Sequence, residues 1–171
     1  MTDAGRKRAK PRAKAAGNPF RDDRLRPSAA LLEAHIALAR ALERHAVRRV
    51  ELDMHLADLL VRLMRAPRTR LKGVEIAREM LINPSRTTRL VDRAEAAGLV
   101  SREAHPDDRR AQQIVLTSEG ERVALLFAPF LLETLDRAIF DTFTSDELDT
   151  LVELLERLRD AATDVAERDK L

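Results

Sequence analysis

The chain has 171 residues, 44% of them hydrophobic and 35% charged, with no Cys, Trp or Tyr, which suits a helix-rich globular protein with one hydrophobic core and a tail. The lack of Cys excludes a disulfide framework, a thiolate nucleophile, a Cys-ligated zinc and a thiol redox sensor. No apolar run approaches the ~18 residues a membrane span needs, and the charged first residues are unlike a secretory leader, so a cytoplasmic protein without membrane contact is expected. The net charge of +2 hides an asymmetry: residues 1–14 carry +5, 15–49 +3, 50–117 +2 and 118–171 −8. A basic front and an acidic rear suggest that one end faces a polyanion.

Residues 1–27 are poor in large apolar side chains and rich in Arg, Lys, Ala, Pro and Gly; they read as a disordered basic arm. From Ser28 the pattern turns helical, with Leu31, Leu32, Ile36, Leu38, Ala39 and Leu42 at helical spacing through about Arg48. A second helix is expected after Asp53 as N-cap, burying Leu56, Leu59, Leu60 and Leu63 and ending before Pro67. A basic stretch, Arg68 to Lys72, leads through Gly73 to a brief helix over Val74–Met80 with Ile76, Ala77 and Met80 inward.

Asn83-Pro84 then opens another helix, Asn as N-cap and Pro at the first position, where its missing N–H costs nothing. This helix runs to about Ala97 and stops at Gly98. Two short strands, Val100–His105 and Gln112–Leu116, bracket a charged tip, Pro106 to Ala111. Thr117 or Ser118 caps a long helix, and Ser118-Glu119-Gly120-Glu121 has the form of a capping box. That helix is apolar almost all round between Val123 and Leu132, with a kink expected at Pro129. A second box, Thr144-Ser145-Asp146-Glu147, opens a last helix striped by Leu148, Leu151, Val152, Leu155, Leu158, Ala162 and Val165.

On the helix after Asn83, at about 100° per residue, Thr87, Leu90, Val91, Ala94 and Ala97 share an inward side. Ser85, Arg86, Thr88, Arg89, Asp92 and Arg93 cover the rest. Arg can bond bidentately to guanine and Thr offers a hydroxyl and a methyl, so such a helix fits a major groove. By itself it equally fits an ordinary amphipathic helix with a solvated basic face. The hairpin beside it shifts the balance. Four consecutive charges, Asp107-Asp108-Arg109-Arg110, cannot be buried; from an exposed tip an Arg can enter the minor groove, braced by an Asp two residues before it. The near-complete apolar surround of the long helix points to a homodimer, because Leu125, Leu126, Phe127, Phe130, Leu131 and Leu132 outnumber what one small domain can cover. Two recognition helices about 34 Å apart would then read a palindrome in double-stranded DNA.

Residues 71–120 resemble the DNA-binding core of the MarR (multiple antibiotic resistance regulator) family. The resemblance rests on Val74-Glu75-Ile76-Ala77, Pro84 to Arg93, Gly98-Leu99-Val100-Ser101-Arg102, Asp107 to Ala111 and Val115 to Gly120. The flanking helices extend it over residues 28–167. It implies a mainly α fold with a small β-wing (α+β), a winged helix-turn-helix over 51–117. Dimerisation helices would lie at 28–50 and 118–171, completing a domain at 28–171 beyond the arm at 1–27. It further implies a homodimeric repressor of a palindromic operator. Arg86, Thr88 and Arg89 become base and phosphate readers, and Asp108 and Arg110 match the wing's Asp-x-Arg; Ser85, Arg93 and Arg109 complete the expected DNA-binding set. Ala94 departs from the family's larger apolar residue, and the arm is longer than the common core.

The family also implies release by a small aromatic or anionic effector bound between the dimerisation helices and the winged domain. His35, Arg40, His55, Arg62 and Arg65 could meet a carboxylate there; an ordinary surface role fits each as well. The urate-responsive subgroup shares a long N-terminus, but its Trp contact has no counterpart here. Of His35, His45, His55 and His105, the first three lie on helices without an acid at clear ligand spacing, no Gly-rich phosphate loop is present, and no Ser/His/Asp set is evident. No enzyme, cofactor or metal is expected. Two other classes remain distinguishable: a helical protein-docking module with an acidic lobe, and a His-dependent metal hydrolase.

Overall fold

The computed structural model describes residues 18–45, 47–105 and 108–168. The described residues divide into two compact units, the first ending at Ala41 and the second beginning at Leu42. Most of the expected arm, residues 1–17, lies outside the described residues. From Asn18 onward the chain forms a 3-10 turn at Pro19–Arg21 and then helix α1, Leu25–His45. The helix thus starts three residues ahead of Ser28, with Pro27 in its first turn, where proline is tolerated. In the first unit Leu25, Leu31, Leu32 and Ile36 of α1 are exposed.

The second unit holds the core. A 3-10 turn at Val47–Val50 precedes α2, Met54–Arg65. Asp53 caps α2 as expected, its Oδ1 accepting from the backbone N–H groups of His55 and Leu56 at 2.9 and 3.0 Å. Leu56, Leu59, Leu60 and Leu63 of α2 form the centre of the core. Pro67–Thr69 is a 3-10 turn in which Arg68 and Thr69 both have positive φ, and it bends the chain into strand β1, Arg70–Lys72. Only a basic linker was expected there. One apolar residue, Leu71, flanked by cations gives no readable alternation, and the strand exists because β3 offers it a ladder, pairing Leu71 with Ile114.

Helix α3 spans Gly73–Glu79 and buries Ile76, with Ala77 and Met80 half-buried. The turn to α4, Pro84–Ala96, passes through Leu81 at φ +52, while Ile82 N–H donates to the Ala77 carbonyl at 3.0 Å. Helix α4 ends as read, with Gly98 at φ +71, a left-handed backbone that glycine adopts without penalty. Ala97 does not join the inward face. It is exposed at the C-cap, while Thr87, Leu90, Val91 and Ala94 are buried.

Strands β2 (Val100–His105) and β3 (Asp108–Leu116) form the hairpin, and the sheet order is β1-β3-β2, antiparallel throughout. Helix α5, Ser118–Leu135, is capped by Thr117, whose Oγ1 accepts the Gly120 N–H at 3.0 Å. The box expected at Ser118–Glu121 therefore does not form, since Ser118 is already helical. Gly120 is required by a close approach: a Cβ there would stand 2.1 Å from the Leu99 carbonyl oxygen. Helix α5 runs on past Pro129 to Leu135 and passes into a π-turn at Asp136–Phe140. Phe127 needs no partner surface, being 2% exposed in the core of its own chain, whereas Leu125, Leu126 and Leu132 are exposed. The last helix, α6, Ser145–Arg168, opens with the expected Thr144–Glu147 box, Glu147 Oε2 accepting the Thr144 N–H at 2.9 Å. No helix among the described residues is long and apolar enough to cross a membrane.

Candidate nucleic-acid interface

The start of α4 is pinned by Asn83, whose Oδ1 accepts the Arg86 N–H at 2.9 Å and the Ser85 hydroxyl at 2.8 Å. Pro84 occupies the first helical position. The two threonines divide by side. Thr87 is buried and donates to the Asn83 carbonyl at 3.1 Å, while Thr88 is exposed and donates to the Pro84 carbonyl at 3.0 Å. Ser85, Arg86, Thr88, Arg89 and Arg93 are all exposed, as the helical spacing predicts. The exposed Thr88 oxygen, donating to the helix backbone, keeps its lone pairs as acceptors.

The cations on this face differ in what holds them. Among the described residues neither Arg86 nor Arg89 has an ion-pair partner, so both guanidinium groups are free for an outside anion. Arg93 instead pairs with Oδ2 of Asp53, the carboxylate whose other oxygen caps α2. One carboxylate thus fastens α4 to the start of α2. On the other side of α4, Arg102 of β2 reaches Asp92 at 2.5 Å and also pairs with Glu95. The hydrogen bond that Arg102 donates to Asp92 raises its pKa above the ordinary arginine value, and the guanidinium remains a cation at every working pH. Sequence reading placed Asp92 on the polar face but missed both ties, because partners 40 and 10 residues apart leave no spacing signal.

The hairpin rises beside this helix. Asp108, Arg109 and Arg110 lie on β3 by their backbone; Pro106 and Asp107, and the side chains of Asp108, Arg109 and Arg110, lie outside the described residues. A cleft of about 560 Å³ separates α4 from the sheet, lined by Lys72, Val74, Pro84, Thr88, Arg102 and Gln112 among others. It puts Lys72, which the sequence reading treated as linker, beside the start of α4.

The effector candidates are dispersed. Arg62 is held by Asp58 at 3.1 Å and Glu79 at 3.7 Å in a mixed-charge cleft with Arg78, Arg159 and Asp164. Arg65 borders a different, apolar cavity of about 170 Å³ with Val61, Met64, Phe127 and Leu131. His55 is exposed, 3.9 Å from Asp53, and lines neither; His35 and Arg40 are exposed on α1, in the first unit. Among the described residues no three His, Cys, Asp or Glu side chains gather as a metal site would require.

A short capped helix presenting free Arg side chains, joined by a glycine turn to a two-stranded hairpin and preceded by α3, is a winged helix-turn-helix. Comparison with known proteins agrees. The MarR family model matches residues 57–111. A MarR family transcriptional regulator from Streptomyces coelicolor, solved in complex with DNA, is 32% identical with a TM-score of 0.73, the alignment covering 79% of this chain and 85% of that one. The HTH-type transcriptional regulator YcgE of Bacillus subtilis is 33% identical over 55% of this chain, and the transcriptional repressor YetL of the same organism is 30% identical over 57%. This chain spans 60% and 58% of those two proteins. It belongs to the MarR family of transcriptional regulators.

Proposed function

We propose that this chain is a DNA-binding transcription regulator, a homodimeric repressor whose recognition helix α4 and wing read the two halves of a palindromic operator. The observation that carries the reading is the exposed face of α4, where Arg86, Thr88 and Arg89 stand together with both guanidinium groups unpaired among the described residues. Ser85 and Arg93 on the same helix, with Asp108, Arg109 and Arg110 on the wing, complete the contact set. The DNA bound by the Streptomyces coelicolor relative and the repressor named in Bacillus subtilis support it. The domain is taken as residues 28–171, with 51–117 contacting DNA, in a cytoplasmic, non-enzymatic protein.

Dimerisation is supported by apolar surface left open on α5 and α6: Leu125, Leu126, Leu132, Leu155 and Leu158. Leucines left exposed at helical spacing mark a protein contact. Release by a small aromatic or anionic effector is part of the reading, and the apolar cavity bordered by Arg65 supports it. The test is selection of sites from random DNA, with sedimentation of the same preparation. A palindrome enriched by a dimer is the expected result. Arg110→Ala should weaken binding to that site by ~1–3 kcal/mol. A monomer, or a pool without consensus, would sink the two-fold readout.

A further inference from the structure

The wing leaves α4 through a joint of three residues, Ala97 to Leu99, with Gly98 at φ +71. The root of this joint is braced: Thr117 donates its hydroxyl to the Gly98 carbonyl at 2.7 Å and its N–H to the Leu99 carbonyl at 3.1 Å. Gly120 packs α5 directly against Leu99. A braced root still lets a hairpin tilt, because a small rotation there becomes a large displacement at the tip.

Arg102 acts where the hairpin has left the root. It is the third residue of β2 and pairs across the ladder with Ile114 of β3, so a force on it is shared by both strands. Its guanidinium is spread between Asp92 and Glu95, one turn apart on α4, and the Arg102 N–H points at Glu95 Oε1, 3.3 Å away. Two carboxylates on a helix that faces a polyanion would repel it; the single Arg102 cation offsets half of that charge and turns both groups to mechanical use. The Arg102 side chain is 24% exposed, drawn in against α4. A guanidinium available to phosphate stands free, as those of Arg86 and Arg89 do.

From this geometry we infer that Arg102, through Asp92 and Glu95, sets the angle between the recognition helix and the wing, and so the fidelity with which two grooves are read at once. It is a positioning residue, and it does not itself contact DNA. The inference rests on the DNA-binding reading above and deepens it. Planar fork geometry is what two separate carboxylates need, and lysine cannot supply it.

The experiment uses the full-length protein and the site enriched by wild type. Affinity for that site and for random duplex is measured across salt concentrations for Arg102→Gln, Arg102→Lys, Asp92→Asn and the double variant Asp92→Asn with Arg102→Gln. Arg102→Gln should lower the ratio of specific to random binding about tenfold, the effect of one misplaced base contact, with an unchanged salt slope. Arg102→Lys should fall between it and wild type. Asp92→Asn is decisive, and it also serves if Arg102→Gln proves unfolded. It removes a negative charge and should strengthen random binding, yet it should still lower the ratio. The double variant should be no worse than the poorer single one.

Equal losses on both duplexes, with a salt slope shallower by about one, would make Arg102 a phosphate contact and overturn the inference. So would an Asp92→Asn variant that gains equally on both. A wild type that enriches no sequence overturns the DNA reading and this inference with it; a wild type that enriches a palindrome, matched by Arg102→Gln, overturns the inference alone.

Discussion

Helices α4 and α6 carry the same signature, an apolar stripe at helical spacing behind a charged face, yet the structure uses them oppositely. In α4 the stripe of Thr87, Leu90, Val91 and Ala94 is buried against α2, α3 and the sheet. In α6 the stripe stays open, with Leu155 and Leu158 exposed, the latter by 49%. The difference lies in neighbours, not in sequence pattern. Helix α4 is held at a capped start, by Arg93 on Asp53 and by Arg102 on its two acids, within a few residues of sheet and core. Helix α6 also has a capped start, the Thr144–Glu147 box, but its pairs Arg157–Glu153 and Arg159–Asp160 lie within the helix itself. An amphipathic stripe therefore states that a helix will be covered; it does not state by what.

Breaking the comparison should be easiest in the core. Phe127→Ala removes a side chain already enclosed by its own chain and should cost ~3–5 kcal/mol in urea unfolding, independent of protein concentration. Leu158→Ala on α6 should leave that unfolding of the single chain nearly unchanged. Its effect should appear as a sedimentation midpoint shifted to higher concentration. If Leu158→Ala instead destabilises the chain at every concentration, α6 is covered from within and the contrast fails.

A smaller effect belongs to the free cations of α4. Arg86→Ala should weaken binding to the selected site by ~1–3 kcal/mol and relax base preference at one position per half-site, read by repeating the selection with the variant. Smaller again, Asn83→Ala removes the oxygen that accepts the Arg86 N–H. It should cost ~1 kcal/mol of stability by thermal melting.

The smallest effect sharpens the α6 side. Glu147 accepts the Thr144 N–H and then its hydroxyl, and these bonds hold its carboxyl below the ordinary value of 4.5. With the folded pKa depressed, the stabilisation is complete above the unfolded value and is lost as pH falls through the lower folded one. Helicity followed by circular dichroism should show a slight fraying of α6 in that acid range. Glu147→Gln should abolish the dependence while leaving the helix in place.

Much of this was legible in the sequence because the signals are local. Asn83-Pro84, Asp53, the Thr144 box and Gly98 mark helix ends by chemistry that acts within four residues, and all four stand where they were expected. The inward face of α4 followed from periodicity alone, except at Ala97, where the helix has already ended. Ser118 failed as a cap for an equally local reason: Thr117, one residue earlier, takes the Gly120 N–H.

What only the tertiary structure decided are relations between distant residues. Strand β1 exists because β3 lies alongside Arg70 to Lys72. Phe127 is enclosed while Leu126 beside it is not, since burial depends on which side of α5 the core occupies. Arg86 and Arg93 are the same residue type on one stripe of one helix, yet the first is free and the second is bound to Asp53, 40 positions away. Hydrogen-bonding caps and helical period are set by neighbouring backbone, which a sequence contains. A guanidinium's partner is set by where the chain returns in space, which a linear order does not record.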